Sequence, residues 1–116
     1  MVAEVQTTPL ERHLTLAAAL GLSPQELALR FGLSERTWQR RQKLEQFERL
    51  ELIHLQMFED LYNLALQTLG TPDAARDWFF SKLPSLAFER PVDALEDLED
   101  YNQLRSILLR GALGLY

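Results

Sequence analysis

The chain of 116 residues contains no cysteine, so disulfide bridges and thiolate metal sites are excluded. It has no apolar run of membrane-spanning length, and residues 1–5 lack the basic start and apolar block of a signal peptide. It also has no glycine-rich phosphate loop and no histidine–carboxylate set at metal-ligand spacing. From these absences we expect a cytoplasmic protein with no membrane partner, no metal, no cofactor and no catalytic activity.

The charge that is present is unevenly distributed along the chain. Residues 1–46 carry six basic and five acidic residues, whereas residues 47–116 carry six basic and twelve acidic residues. The net charge of −5 therefore arises in the second part. An acidic protein is poorly suited to coat nucleic acid, but the first part remains compatible with a local basic contact.

Helix signals are dense, and no sustained alternation of polar and apolar residues indicates a sheet. Helix starts are predicted at Thr8-Pro9, Ser23-Pro24, Ser34, Thr71-Pro72, Pro91 and about Asp100, and helix ends at Gly21, Gly32, Gly70, about Leu98 and about Gly111. Residues 44–69 lack glycine and proline and have apolar residues every three or four positions, which predicts one helix of roughly 40 Å. We predict an all-α fold of six or seven helices. A helix-turn-helix bundle in residues 1–46 is joined by the long helix to a small helical domain in residues 47–116.

Residues 22–43 resemble a helix-turn-helix. Ala28 supplies the small residue where the two helices cross, and Gly32 permits a tight turn at positive φ. Leu33 and Trp38 would wedge the helices together, and Ser34 would cap the second helix. The exposed side of that helix would place four residues toward phosphates and base edges: Arg36, Gln39, Arg40 and Lys43.

The same residues also fit a helical hairpin with a solvated charged face. Arg41 occupies a position where many such motifs have an apolar residue. Specific DNA binding by a single motif would require a dimer, because one copy makes few contacts. The apolar stripe of residues 44–69 predicts a homodimer through the N-terminal half, with operator DNA as a candidate partner.

The second half carries a longer pattern. The segment 74–81 (AARDWFFS) is followed by Leu86 and by the segment 91–95 (PVDAL). This order and spacing resemble the toxin-binding domain of ParS/MbcA/Xre-type antitoxins, and residues 33–41 resemble their helix-turn-helix. The sequence departs from the family pattern at two places. Lys82-Leu83 stands where the family has Pro-Asn, and Ala94 stands where the family has the first of two apolar residues after Asp93.

The resemblance implies an antitoxin that binds a RES-domain toxin, which degrades NAD or uses it to modify proteins, and that blocks the toxin's active site. It implies a structural core of Trp78, Leu86, Pro91 and Leu95. The implied contact surface is the last helix and the residues after it, namely Arg105, Leu109, Arg110, Gly111, Leu113, Gly114, Leu115 and Tyr116.

Several alternatives remain open on the residues alone. Leu113 or Leu115 could pack back on the Trp78 core instead of entering a partner. The acidic residues 96–100 fit a solvated helix end better than a cation site or a pair of catalytic acids. A free-standing transcription regulator with a C-terminal dimerisation domain is the alternative function.

Overall fold

The structure is a computed structural model that describes residues 7–112, and in this range it contains seven α-helices. The helices are α1 (Pro9–Leu20), α2 (Pro24–Arg30), α3 (Glu35–Leu44), α4 (Arg49–Leu69), α5 (Pro72–Phe79), α6 (Pro91–Ala94) and α7 (Leu98–Ala112). A single 3-10 turn (Pro84–Leu86) lies between α5 and α6, and one isolated bridge joins Leu83 and Glu89. The predicted all-α class is confirmed. Over the same residues, no helix has both the length and the apolarity needed to cross a membrane.

Four of the predicted helix starts, at Thr8, Ser23, Ser34 and Thr71, have side-chain caps, whereas α6 begins at Pro91 without one and α7 begins at Leu98 and not at Asp100. The Thr8 hydroxyl accepts a hydrogen bond from the Glu11 amide at 3.2 Å, and Thr71 caps α5 in the same way through Ala74 at 3.1 Å. At α2, the Ser23 hydroxyl and the Glu26 carboxylate form a reciprocal capping box. Because each cap uses residues within one turn, these starts are specified locally.

The predicted helix over residues 44–69 is wrong at its beginning. α3 ends at Leu44, Glu45 adopts a left-handed conformation with φ of 54°, and α4 begins only at Arg49. We call residues 45–48 the corner. In the corner, Phe47 turns back toward Trp38, with 6.2 Å between ring centroids. The Glu51 carboxylate accepts a hydrogen bond from the Glu48 amide at 2.9 Å and so starts the new helix. The halves are therefore joined by a short corner and not by a continuous helix.

The boundary between the last two helices also differs from the prediction. α6 is a single turn that ends at Ala94, because Leu95 is extended and buried. The Asp100 carboxylate accepts hydrogen bonds from the amides of Glu96 and Asp97, and Asp97 accepts one from the Asp100 amide. Two of the four clustered acids thus organise the start of α7.

α4 lies at the centre of the fold and packs against α1, α5 and α7. Its residues Leu55, Phe58, Leu61 and Ala65 are buried in one apolar cluster that extends from α1 to α7. The predicted region boundary at residue 46 falls in the corner between α3 and α4, and it stays a prediction. The continuous core holds α3 and α7 on one common support.

Candidate functional site

The turn of the helix-turn-helix is formed by residues 31–34 between α2 and α3. Gly32 has φ of 81°, a conformation that residues with a Cβ rarely adopt. The Leu33 amide donates to the Ala28 carbonyl at 3.1 Å, and the Ser34 hydroxyl accepts from the Thr37 amide at 3.2 Å. Ala28 and Leu33 are buried where the helices meet. The helix-turn-helix is therefore present as predicted.

The outer face of α3 carries the four residues predicted to contact DNA. These side chains are all exposed, and positions 39 and 40 each lie three or four residues after 36 and before 43: Arg36, Gln39, Arg40 and Lys43. Three of them are cationic, and Gln39 can both donate and accept hydrogen bonds. This face can contact phosphates and base edges in a groove. Its role in DNA binding stays a prediction.

The inner face of α3 has one buried residue, Trp38. Its ring stacks on His13 of α1 with 4.4 Å between centroids. Phe31 approaches His13 edge-on at 5.4 Å, and Phe47 lies 6.1 Å from the same ring. We call His13, Phe31, Trp38 and Phe47 the aromatic cluster. It fixes α3 to α1 through a few large side chains.

His13 is fully buried at the centre of the aromatic cluster. Its Nε2 lies 2.7 Å from the Pro24 carbonyl, while Nδ1 has no hydrogen-bond partner. Burial lowers the pKa of His13 below its ordinary value, and the hydrogen bond to Pro24 opposes this only in part. The lowered pKa favours the neutral ring, and because a carbonyl can only accept, the contact with Pro24 assigns the proton to Nε2. No sequence pattern near His13 predicted that its ring would be buried among aromatic side chains.

A bidentate ion pair joins α3 to α4. Arg41 Nε lies 2.8 Å from Glu51 Oε1, and Arg41 Nη2 lies 3.1 Å from Glu51 Oε2. Arg41 Nη2 also lies 3.0 Å from Glu48. Burial raises the pKa of Glu51, but the hydrogen bonds from Arg41 and the Glu48 amide outweigh burial and hold it below its usual range. Arg41 thus replaces the expected apolar residue with a paired charge.

The predicted core residues of the C-terminal half lie around α5 and α6. Trp78, Pro91 and Leu95 are buried, and Leu86 is half-buried against the apolar cluster. The Trp78 ring meets Phe79 edge-on at 5.1 Å. The structure thus places all four residues in or on the core, with Leu86 at its edge.

α7 presents two different faces. Leu104, Ile107 and Leu108 are buried beneath the helix, which packs on α4. Among the predicted toxin contacts, Arg105 and Arg110 are exposed, and Leu109 and Gly111 are half-buried. The remaining predicted contacts lie outside the described residues: Leu113, Gly114, Leu115 and Tyr116.

One ion pair connects the helix-turn-helix to the C-terminal half, and one hydrogen bond connects α4 to the segment before α7. Asp93 of α6 accepts from Arg30 of α2 at 3.1 Å and from Arg90 at 2.7 Å. His54 Nε2 lies 2.6 Å from the Glu96 carbonyl, and its ring stacks on Phe31 at 5.8 Å. Sequence reasoning missed both contacts, because their partners are 63 and 42 residues apart.

Two surface cavities lie away from α3. One of about 300 Å³ lies between α1 and α4 beside the Arg12–Glu59 ion pair. The other, of about 400 Å³, lies between the 3-10 turn and α7 and is lined by Glu89, Glu96 and Asp100 among others. Within the part of the chain that the structure describes, no three histidine or acidic side chains are placed to hold a cation.

Together, the tight turn, the buried inner face and the basic outer face define a helix-turn-helix protein. Residues 13–53 match the family model of the antitoxin Xre-like helix-turn-helix domain. No curated protein matches the chain. The family match supports an antitoxin of a toxin–antitoxin system or a helix-turn-helix regulator, with DNA and a toxin as the corresponding partners.

Proposed function

We propose that this chain is an antitoxin that binds a RES-domain, NAD-using toxin, blocks the toxin's active site, and represses its own operon through α3. The observation that carries the proposal is the match of residues 13–53 to an antitoxin helix-turn-helix domain. The sequence pattern of residues 74–95 adds the class of toxin, because it resembles the toxin-binding domain of antitoxins against RES-domain proteins. The proposed action is steric and requires no catalysis by this chain.

The toxin contact is proposed for the outer face of α7 and residues 111–116. The inner face of α7 is committed to the core through Leu104, Ile107 and Leu108, so only its outer face is free for a partner. Arg105 and Arg110 are exposed on the helix and can pair with acidic groups of the toxin. Apolar and aromatic residues in positions 113–116 supply the residue types that dominate interface energy.

The DNA contact is proposed for a homodimer. Part of the apolar stripe predicted to form the dimer is used inside the chain, since Met57 and Leu61 are buried. Leu44, Leu50 and Ile53 remain exposed by 57%, 70% and 44% near the corner between α3 and α4. This patch is the part of the stripe still available to a second copy. A dimer would present two α3 helices to successive DNA half-sites.

The second candidate is a free-standing transcription regulator. It is supported by the same helix-turn-helix match, and its C-terminal half, in which α5 and α7 pack on α4, would serve only for dimerisation. The two functions differ in the role of residues 111–116. An antitoxin requires them for protection against a toxin, whereas a regulator does not.

Co-expression tests the proposal. The chain, and a version that ends at Arg110, are each expressed with the RES-domain protein expected from a neighbouring reading frame. We expect the full chain to restore growth and the shortened chain to fail, because it lacks the proposed blocking segment. A matched control replaces residues 111–116 by glycine and serine at the same length. Equal protection by the shortened chain would contradict blockade by these residues.

A further inference from the structure

α3 has ten residues but few deeply buried side chains. Trp38 is its one buried side chain, and the remaining inner-face contact of high burial is the Arg41–Glu51 pair. Side-chain exposure is 12% for Arg41 and 8% for Glu51, so little of either side chain is open to solvent. Apart from its packing on α2, α3 is therefore held mainly by one ring and one ion pair.

We infer that Arg41 and Glu51 are positioning residues for DNA recognition, and that they set the angle of α3 without touching DNA. A bidentate Arg–carboxylate pair fixes geometry as well as energy, because two parallel hydrogen bonds determine both distance and rotation. Trp38 alone would act as a pivot. Arg41 lies three residues after Trp38 and its two bonds to Glu51 prevent α3 from turning about that pivot.

The support for the pair is itself fixed. Glu51 accepts a third hydrogen bond from the Glu48 amide, and Glu51 stands in the first turn of α4. α4 is the central helix, held by α1, α5 and α7. The ion pair therefore fixes the angle of α3 relative to the core. That angle in turn determines where the exposed residues Arg36, Arg40 and Lys43 lie. This inference rests on the proposed DNA contact.

The chain contains a matched control in a second bidentate pair. Arg12 of α1 pairs with Glu59 of α4 through its Nε at 3.1 Å and through its Nη2. Side-chain exposure is 32% for Arg12 and 25% for Glu59. Both pairs join a helix to α4, but only the Arg41 pair joins α3. Arg12→Met and Arg41→Met therefore remove the same type of contact at different helices.

The first experiment measures hydrogen exchange of the full chain without DNA. We expect Arg41→Met to speed exchange of the α3 amides at least about tenfold relative to the parent chain, while Arg12→Met leaves α3 unchanged. Arg41→Lys, which keeps the charge but loses the bidentate geometry, should fall between them. Unchanged protection of α3 in Arg41→Met would overturn the inference, whatever the chain does with DNA.

The second experiment measures binding to a duplex taken from immediately upstream of the chain's own reading frame, and to a scrambled duplex of equal length. Arg41→Met should lower affinity for the upstream duplex about tenfold and leave the scrambled duplex within about twofold, since base contacts are lost and phosphate contacts remain. The salt slope should stay unchanged, whereas Arg40→Ala should reduce it by about one. A reduced slope in Arg41→Met would mean direct phosphate contact and would contradict positioning.

The two experiments separate the inference from the function on which it rests. If the parent chain binds neither duplex, the DNA-binding proposal fails, and the exchange experiment still decides whether Arg41 and Glu51 orient α3. If Arg41→Met binds the upstream duplex as tightly as Arg12→Met does, the pair only stabilises the fold and its positioning role is wrong.

Discussion

α3 and α7 are held by different means on the same central helix. α3 contributes one buried residue, Trp38, and is joined to α4 by an ion pair. α7 contributes Leu104, Ile107 and Leu108 to the apolar cluster or its edge. A helix fixed by a few discrete contacts can be reoriented by one substitution, whereas a helix packed along a face responds mainly through the stability of the whole fold. The two surfaces can therefore be tested separately.

The largest effect is expected for Trp38→Ala, which removes the one buried side chain of α3. We expect the free energy of unfolding to fall by about 3–5 kcal/mol. The substitution loses the transfer free energy of the buried ring and also leaves a cavity in the core. Urea denaturation measures this loss. The exchange protection of α3 should fall more than that of α7. A loss of under about 1 kcal/mol would mean that α3 is held by contacts other than the aromatic cluster.

Leu104→Ala tests how α7 is held. Leu104 is 1% exposed beneath α7. We expect the free energy of unfolding to fall by about 2–5 kcal/mol, with protection lost across α4 and α7 together. Arg105→Ala, on the exposed face of the same helix, should change stability by less than about 0.5 kcal/mol. Selective loss at α7 alone would show that α7 is not part of the common core.

A pH effect is expected at α3 because of His13. Its pKa is lowered in the folded chain, so the unfolded chain binds more protons as the pH falls below about 6.5. The contribution of neutral His13 to the free energy of unfolding is thus fully present above about pH 6.5. It is lost as the pH falls from there toward the pKa of His13 in the folded chain. The urea midpoint should drop between about pH 7.5 and about pH 5.5. His13→Phe should reduce this drop, and an unchanged drop would assign it to other groups.

The smallest effect is expected for the helix caps, which offer a matched pair. Ser34→Ala and Thr71→Ala should each lower stability by about 1 kcal/mol, since each frees one amide at a helix start. The cap variants differ in their local result. Ser34→Ala should loosen the first turn of α3 in hydrogen exchange, and Thr71→Ala that of α5. Loosening of both helices by either variant would contradict independent local caps.

Elements that depend on neighbouring residues were predictable from the sequence. The caps at Thr8, Ser23 and Thr71, and the positive φ of Gly32, follow from residues within one turn. The corner between α3 and α4 was not predictable in this way, because neither glycine nor proline marks it. Glu45 adopts φ of 54° where Phe47 turns back toward Trp38 and Arg41 pairs with Glu51.

The same limit applies to the candidate site. The exposed residues of α3 could be named because helical spacing places them on one face. The contacts that orient them could not be named, since His13 meets Trp38 from another helix and Asp93 meets Arg30 across 63 residues. Local sequence therefore specified which residues are presented, and tertiary packing specified how they are held.

The most direct test of separate DNA and toxin surfaces crosses two variants with two assays. One variant carries Arg36→Ala, Arg40→Ala and Lys43→Ala, and the other ends at Arg110. Each is assayed for binding to the upstream duplex and for protection of cells against the co-expressed RES-domain toxin. The account predicts that the triple variant protects cells without binding DNA, and that the shortened chain binds DNA without protecting cells. Protection by the shortened chain, or loss of both activities in either variant while it remains folded, would contradict it.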